Sequence, residues 1–254
     1  MLIASPRYTR ADLEAWAHWE RQDAAFPKPI LERRSAAARA EMVRFAARGP
    51  CYVGVSWGKD SVVVAHLALG LGLPLVWIRV EPIVNPDCAA VRDAFLASNP
   101  GVRYSEIEEW CTRDTAGWHA TGTLERGFAR APARRYISGI RAEESSARER
   151  RVNGGLATEK TCAPIGRWTS IEVFAYLYAH QLPVHPAYAC TFGGVLDRGR
   201  VRVSSLGGER GGGRGRAQWE GRYYGDALRA IAAATGPAEG EAEEPRLRAR
   251  RRKK

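Results

Sequence analysis

Ser56-Trp57-Gly58-Lys59-Asp60-Ser61 puts two hydroxyls, a glycine, an ammonium and a carboxylate side by side between two apolar runs. That set suits phosphate chemistry. Where a strand turns tightly into a helix, the first helical N–H groups are unpaired and point outward, with the positive end of the helix dipole behind them. Gly58 lets the backbone approach an anion closely, Ser56 and Ser61 can donate hydroxyls, and Lys59 adds a mobile positive charge for a phosphate oxygen. A plain strand-to-helix turn also favours Gly, Ser and Asp. Lys59 beside an apolar strand tips the reading to phosphate. The common nucleoside triphosphatase loop, G-x-x-x-x-G-K-[ST], does not match: Gly54 to Lys59 is one residue short, and Asp60 follows the lysine.

A second polar run, Gly139-Ile-Arg141-Ala-Glu-Glu144-Ser-Ser-Ala-Arg148, follows a short strand beginning at Tyr136. With a helix starting after Arg141, Glu144 and Arg148 lie four apart on one face and pair, leaving Arg141 free at the strand end to meet phosphates held by Lys59. Glu81, Asn85 and Asp87, in the turn after a second apolar strand, are candidates for magnesium or substrate, although turn chemistry explains the last two equally well.

The elements that carry these residues follow from apolar spacing. Residues 52–55 read as a buried strand and 61–71 as a helix closed by Gly72. Residues 73–80 and 102–107 read as further strands, with a helix at 88–98 between them. Alternating strands and helices imply a mostly parallel twisted sheet with right-handed crossovers and helices on both faces. In such sheets ligands bind at the carboxyl ends of the strands, where Ser56 to Ser61 falls. Two helices, 11–24 and 29–48, precede the sheet, with Trp16, Trp19, Leu31, Met42 and Phe45 on their apolar faces. Thr169 and Glu172 form a capping box for a helix with Ile171, Phe174 and Tyr178, and Val173 and Leu177 beside them, as its apolar stripe, and Leu182-Pro183-Val-His185-Pro186-Ala-Tyr188 is a rigid turn. The expected division is a helical segment at 1–48, a nucleotide-binding domain at 49–235 and a disordered charged tail at 236–254.

The 254 residues, 45% hydrophobic, are enough for one substantial α/β core. No long apolar run suggests a membrane span, and the start lacks the features of a signal peptide, so a cytoplasmic location without membrane contact is expected. The five cysteines are widely spaced without a C-x-x-C pair, which predicts reduced thiols and neither a zinc site nor an iron–sulfur cluster. The net charge of +11 points to a polyanionic partner, yet much of it lies in the run Arg246 to Lys254. That tail, or the basic, glycine-rich segment from Gly207 to Arg216, is a candidate nucleic-acid contact, and the segment could equally fold over a nucleotide.

Taken in order, the motifs resemble the phosphoadenosine phosphosulfate (PAPS) reductase family of the PP-loop superfamily. The loop is similar to the family's S-G-G-K-D-S, with Trp57 at the first family glycine. G-x-R-x-x-E-S-x-x-R at Gly139 to Arg148, P-x-x-x-W-x-x-x-x-V at Pro164 to Val173 and L-P-x-x-P-x-Y at Leu182 to Tyr188 follow. The resemblance covers roughly residues 50–205 and implies an adenine nucleotide alpha hydrolase-like fold. It assigns Ser56, Gly58, Lys59, Asp60 and Ser61 to the phosphates, Arg141 at the end of the Gly139 strand to phosphate or sulfate, and Glu144 and Arg148 to support of that site. Asp60 is expected to assist magnesium through water. Trp57 is expected to leave the loop for solvent or the adenine side.

Reductases of this family use a cysteine in a C-terminal E-C-G-x-H motif, and no cysteine follows Cys190. The complete Gly-Lys-Asp-Ser run instead resembles ATP-using relatives that cleave ATP between the α- and β-phosphates in sulfur transfer or nucleic-acid modification. The expected ligands are therefore ATP and magnesium. Two alternatives stay open: a PAPS reductase using an external thiol or Cys190, and a non-catalytic nucleotide-binding subunit of a larger assembly.

Overall fold

A computed structural model describes residues 1–111, 113–114, 117–118, 120–207 and 215–235. The expectations for most of Gly207 to Arg216 and for the charged tail lie outside the described residues. Two helices open the chain. Thr9 and Asp12 cap α1 (Arg10–Ala24) reciprocally, and Pro27-Lys-Pro29 starts α2 (Lys28–Ala46). Next come β1 (Tyr52–Val55), α3 (Lys59–Leu67), β2 (Leu75–Glu81), α4 (Asp87–Ser98) and β3 (Tyr104–Trp110). A small antiparallel pair, β4 (Arg113–Asp114) and β5 (Gly117–Trp118), leads into α5 (Ala120–Arg130). The remaining elements are β6 (Tyr136–Ile137), α6 (Ser146–Asn153), β7 (Thr161–Cys162), α7 (Ser170–Ala179) and α8 (Arg216–Thr235).

Five strands form one parallel sheet in the order β3-β2-β1-β6-β7. β1 therefore lies in the middle, and strand order reverses across it: the chain first builds outward through β2 and β3, then returns to β6 on the other side. This reversal is the crevice at which open α/β sheets bind ligands. The expected α/β class with a mostly parallel sheet is the observed one.

The central strands are apolar because both faces are covered: Val53 and Val55 pack with Val62, Val63, Ile137 and Ile165 in one continuous core. Trp16, Leu31, Met42 and Phe45 join the same core, and α1 and α2 pack on α7 and α3. α7 differs from its expected stripe. Phe174 is buried with Val173, Tyr176 and Leu177, while Ile171 and Tyr178 are exposed at 61% and 38%. The face is chosen by the helices packed on it, which a 3.6-residue pattern containing this many apolar residues leaves undetermined. No helix among the described residues is long and apolar enough to cross a membrane.

Candidate active site

The loop between β1 and α3 lies at the carboxyl end of the central strand, as its sequence requires. Gly58 is the N-cap of α3, and Lys59, Asp60 and Ser61 form its first turn. Ser61 braces that turn internally: its Oγ accepts from Ser56 N–H at 3.2 Å and donates to Gly58 O at 3.0 Å. Among the described residues, the backbone N–H groups of Trp57, Gly58, Asp60 and Ser61 have no partner. Unpaired donors at a helix start, with the dipole behind them, form an anion site.

The charged side chains converge here. Asp60 Oδ2 accepts from Lys59 Nζ at 2.9 Å, and its Oδ1 accepts from Arg141 Nε at 2.5 Å. Arg141 is 1% exposed and also donates from Nη1 to Glu143 Oε2 at 2.5 Å and Trp168 O at 3.2 Å. Burial works against the Arg141 charge, but Asp60 and Glu143 outweigh it and raise its pKa. Burial would likewise lift the Glu143 carboxyl, yet donors from Arg141 and Ser170 bring it below its ordinary value. Gly139 makes the arrangement sterically feasible, because a β-carbon there would lie 2.7 Å from the Asp60 carbonyl carbon. The glycine of the G-x-R motif is thus where the β6 strand end touches the first turn of α3.

The sequence-based expectations meet this geometry unevenly. Lys59, Asp60, Ser61, Gly139 and Arg141 come together. Glu144 and Arg148 pair as expected, and Glu144 Oε2 also accepts the Arg141 N–H at 2.9 Å. Arg141, in contrast, is not left free: it is tied to Asp60 and Glu143, from opposite sides in sequence. Asp60, expected to assist magnesium, has both carboxylate oxygens engaged by cations.

Trp57 departs furthest. Its side chain goes neither to solvent nor to the adenine side but is fully buried, with ring centroids 5.6 Å from Phe95, 5.6 Å from Tyr104 and 6.5 Å from Trp77. The backbone accommodates this with a φ of 60°. The indole fills the core under the loop, leaving the loop's outer side to its N–H groups.

The residues after β2 also serve the fold. Asp87 Oδ2 accepts from Arg7 Nε at 3.0 Å and from Tyr224 Oη at 2.9 Å, so it ties the N-terminal segment and α8 to the start of α4. Asn85 is buried and accepts the Asp87 N–H, and Glu81 pairs with Arg79. Sequence reasoning missed Tyr188, whose hydroxyl accepts the Lys59 N–H at 3.0 Å. Its only sequence signal was a place in the L-P-x-x-P-x-Y turn.

With this geometry in view, comparison with known proteins narrows the fold group. A PAPS reductase from Synechococcus sp. is 26% identical, aligned over 59% of this chain and 71% of its own length. No family model matches the chain. The PAPS reductase from Candida auris in its phosphate complex superposes with a TM-score of 0.47 at 12% identity, covering 73% of this chain and 98% of that one. The chain is thus similar to PAPS reductases. The U34-tRNA thiolase NcsA from Methanococcus maripaludis, solved with its [4Fe-4S] cluster, shares 13% identity with this chain at a TM-score of 0.45, covering 82% of this chain and 79% of its own. The expectation of no iron–sulfur cluster is corrected accordingly: the neighbour NcsA carries one. The five thiols of this chain are all buried and lie on separate segments, and among the described residues no three His, Cys, Asp or Glu side chains gather as metal ligands.

Proposed function

We propose that this chain is an enzyme that binds ATP at Ser56 to Ser61 and cleaves it between the α- and β-phosphates to adenylate an acceptor in sulfur transfer or nucleic-acid modification. An acceptor oxygen attacks the α-phosphorus, the bond from that phosphorus to the bridging oxygen breaks, and pyrophosphate leaves with the electron pair. Lys59 and Arg141 neutralise the charge growing on the departing pyrophosphate, while the N–H groups of α3 hold it in place. The observation that carries the reading is the convergence of Lys59 and Arg141 on one carboxylate beside four unpartnered N–H groups.

A reductase reading has less support from the side chains. Cys190, the cysteine weighed as a nucleophile, is fully buried, and burial pushes its thiol up to about 12, away from the thiolate that attack requires. Trp57 sits in the core, which removes the main ground for a loop disabled by its own side chain. Calorimetric titration with ATP in the presence of magnesium, with PAPS as competitor, tests the proposal. Lys59→Ala should weaken ATP binding about 10- to 100-fold, the scale of losing charge-assisted hydrogen bonds, and should abolish pyrophosphate release. Equal ATP affinity in the variant, or a preference for PAPS, would overturn the reading.

A further inference from the structure

Tyr188 stands at the phosphate loop without belonging to it. It ends a short 3-10 turn, Pro186–Tyr188, whose preceding residue His185 accepts the Ala187 N–H through Nδ1 at 3.1 Å. Burial pushes the His185 pKa down to about 3, so the ring is neutral and Nδ1 can accept. Phe174 on α7 holds the Tyr188 ring edge-on, with centroids 5.5 Å apart. The Tyr188 hydroxyl takes the Lys59 N–H at 3.0 Å, and Lys59 Nζ lies 5.3 Å from the centre of the same ring. Gly58 completes the contact: a β-carbon there would lie 3.1 Å from the Tyr188 hydroxyl. Burial, with the Asp60 charge nearby, pushes the phenol pKa well up, so the hydroxyl keeps its proton.

We infer that Tyr188 is a positioning residue of the phosphate loop: its hydroxyl binds the Lys59 N–H on the core side, which sets the first turn of α3 so that the Gly58, Asp60 and Ser61 N–H groups meet the phosphates together. The inference rests on the reading that this loop holds phosphates. Its physical basis is that a buried N–H without an acceptor is costly, so without the hydroxyl the turn rotates to satisfy Lys59 and its donors lose their common aim. Preorganised donors bind an anion more tightly than donors that must first be aligned.

Calorimetric titration of wild type, Tyr188→Phe and Met42→Ala with ATP and with inorganic pyrophosphate tests it. Tyr188→Phe keeps the ring and should weaken both ligands by about five- to tenfold, the scale of one misaligned hydrogen bond. Met42→Ala removes a buried side chain of α2, so it should lower the melting temperature while leaving both affinities within twofold. Tyr188→Phe affinities within twofold of wild type, or tighter, would overturn the inference. Wild type binding neither ligand would instead remove the phosphate reading, and this inference with it.

A second measurement needs no variant and covers a Tyr188→Phe chain that does not fold. In wild-type amide exchange followed by NMR, the Lys59 N–H should be protected without ligand and unchanged by ATP. The Gly58, Asp60 and Ser61 amides should slow when ATP is added. A Lys59 amide that slows alongside its neighbours on ATP addition would sink the assignment.

Discussion

Two regions of this protein bury charge, and they do so in opposite ways. At the amino-terminal side, Asp12 Oδ1 accepts from Thr191 N at 3.0 Å, Gly193 N at 2.8 Å and Tyr223 Oη at 3.1 Å. Its Oδ2 takes the Thr9 N–H and hydroxyl, each at 2.8 Å. Nearby, Arg198 grips Asp23 with two bonds, 2.9 Å and 2.5 Å, and its guanidinium lies 3.9 Å from the Phe174 ring centre and farther from Trp16 and Trp19, at 5.2 Å and 5.3 Å. Each buried charge there answers another group within the chain. At the phosphate loop the side-chain charges are balanced too, but the backbone donors around them are not. The difference separates architecture from a binding site: a buried charge met by side-chain and backbone partners of its own chain anchors segments, whereas balanced charge beside unpartnered backbone donors is suited to an anion.

The strongest way to break this contrast is Arg198→Ala. It leaves Asp23 buried and unpaired, and should cost about 3–5 kcal/mol of stability in urea unfolding while leaving ATP affinity unchanged in protein that folds. A matching loss of ATP affinity would mean that the two regions are coupled.

Trp57→Gly probes the other side of the comparison. Restoring a glycine at a φ of 60° relieves backbone strain but leaves a cavity between Trp77, Phe95 and Tyr104. Losing a large aromatic costs about 3–5 kcal/mol and the relief returns about 1–2, so a net loss of about 1–4 kcal/mol is expected. Thermal unfolding measures it, and an unchanged melting temperature would deny the indole its role in the core.

The smallest effect is a pH dependence. Burial raises the Asp12 pKa, but the N–H groups of Gly193, Thr9 and Thr191 and the Thr9 hydroxyl overcome it and leave the folded pKa below the ordinary carboxylate value. A depressed folded pKa stabilises the fold above the unfolded value, near 4, and that contribution fades as pH falls through the folded one. Asp23 runs the other way: burial raises its pKa despite Arg198, so its own contribution declines as pH rises from about 4 through that raised value. Asp12→Asn should therefore flatten the acid limb of stability against pH below about 4, read by urea unfolding between pH 3 and 6. An acid limb as steep as in wild type would assign it to other carboxylates.

Much of this protein was legible wherever the physics is local. A four-residue apolar strand and an apolar helix place β1, the loop and the start of α3 from neighbours in the chain alone, although α3 ends at Leu67 with Ala68 as its C-cap rather than at Gly72. The Thr169–Glu172 capping box and the Glu144–Arg148 pair are likewise contacts that spacing predicts, because three or four residues along a helix bring side chains together.

What only the tertiary structure decided are the contacts between residues far apart in sequence. Arg141 reaches Asp60 across 81 positions, and Tyr188 reaches Lys59 across 129. Neither pairing has a period or a motif that encodes it, because each depends on which strand ends the sheet order puts side by side. Trp57 shows the same limit from the other direction: its residue type marked an oddity in the loop, but whether it faced outward or inward was settled by the space left between β2, β3 and α4. Side-chain chemistry in the sequence determined that a turn bearing glycine, serine and lysine joins β1 to α3. The packing of the sheet determined which charges and which hydroxyl surround it, since burial forces each buried polar group to find a partner wherever the fold brings one within reach.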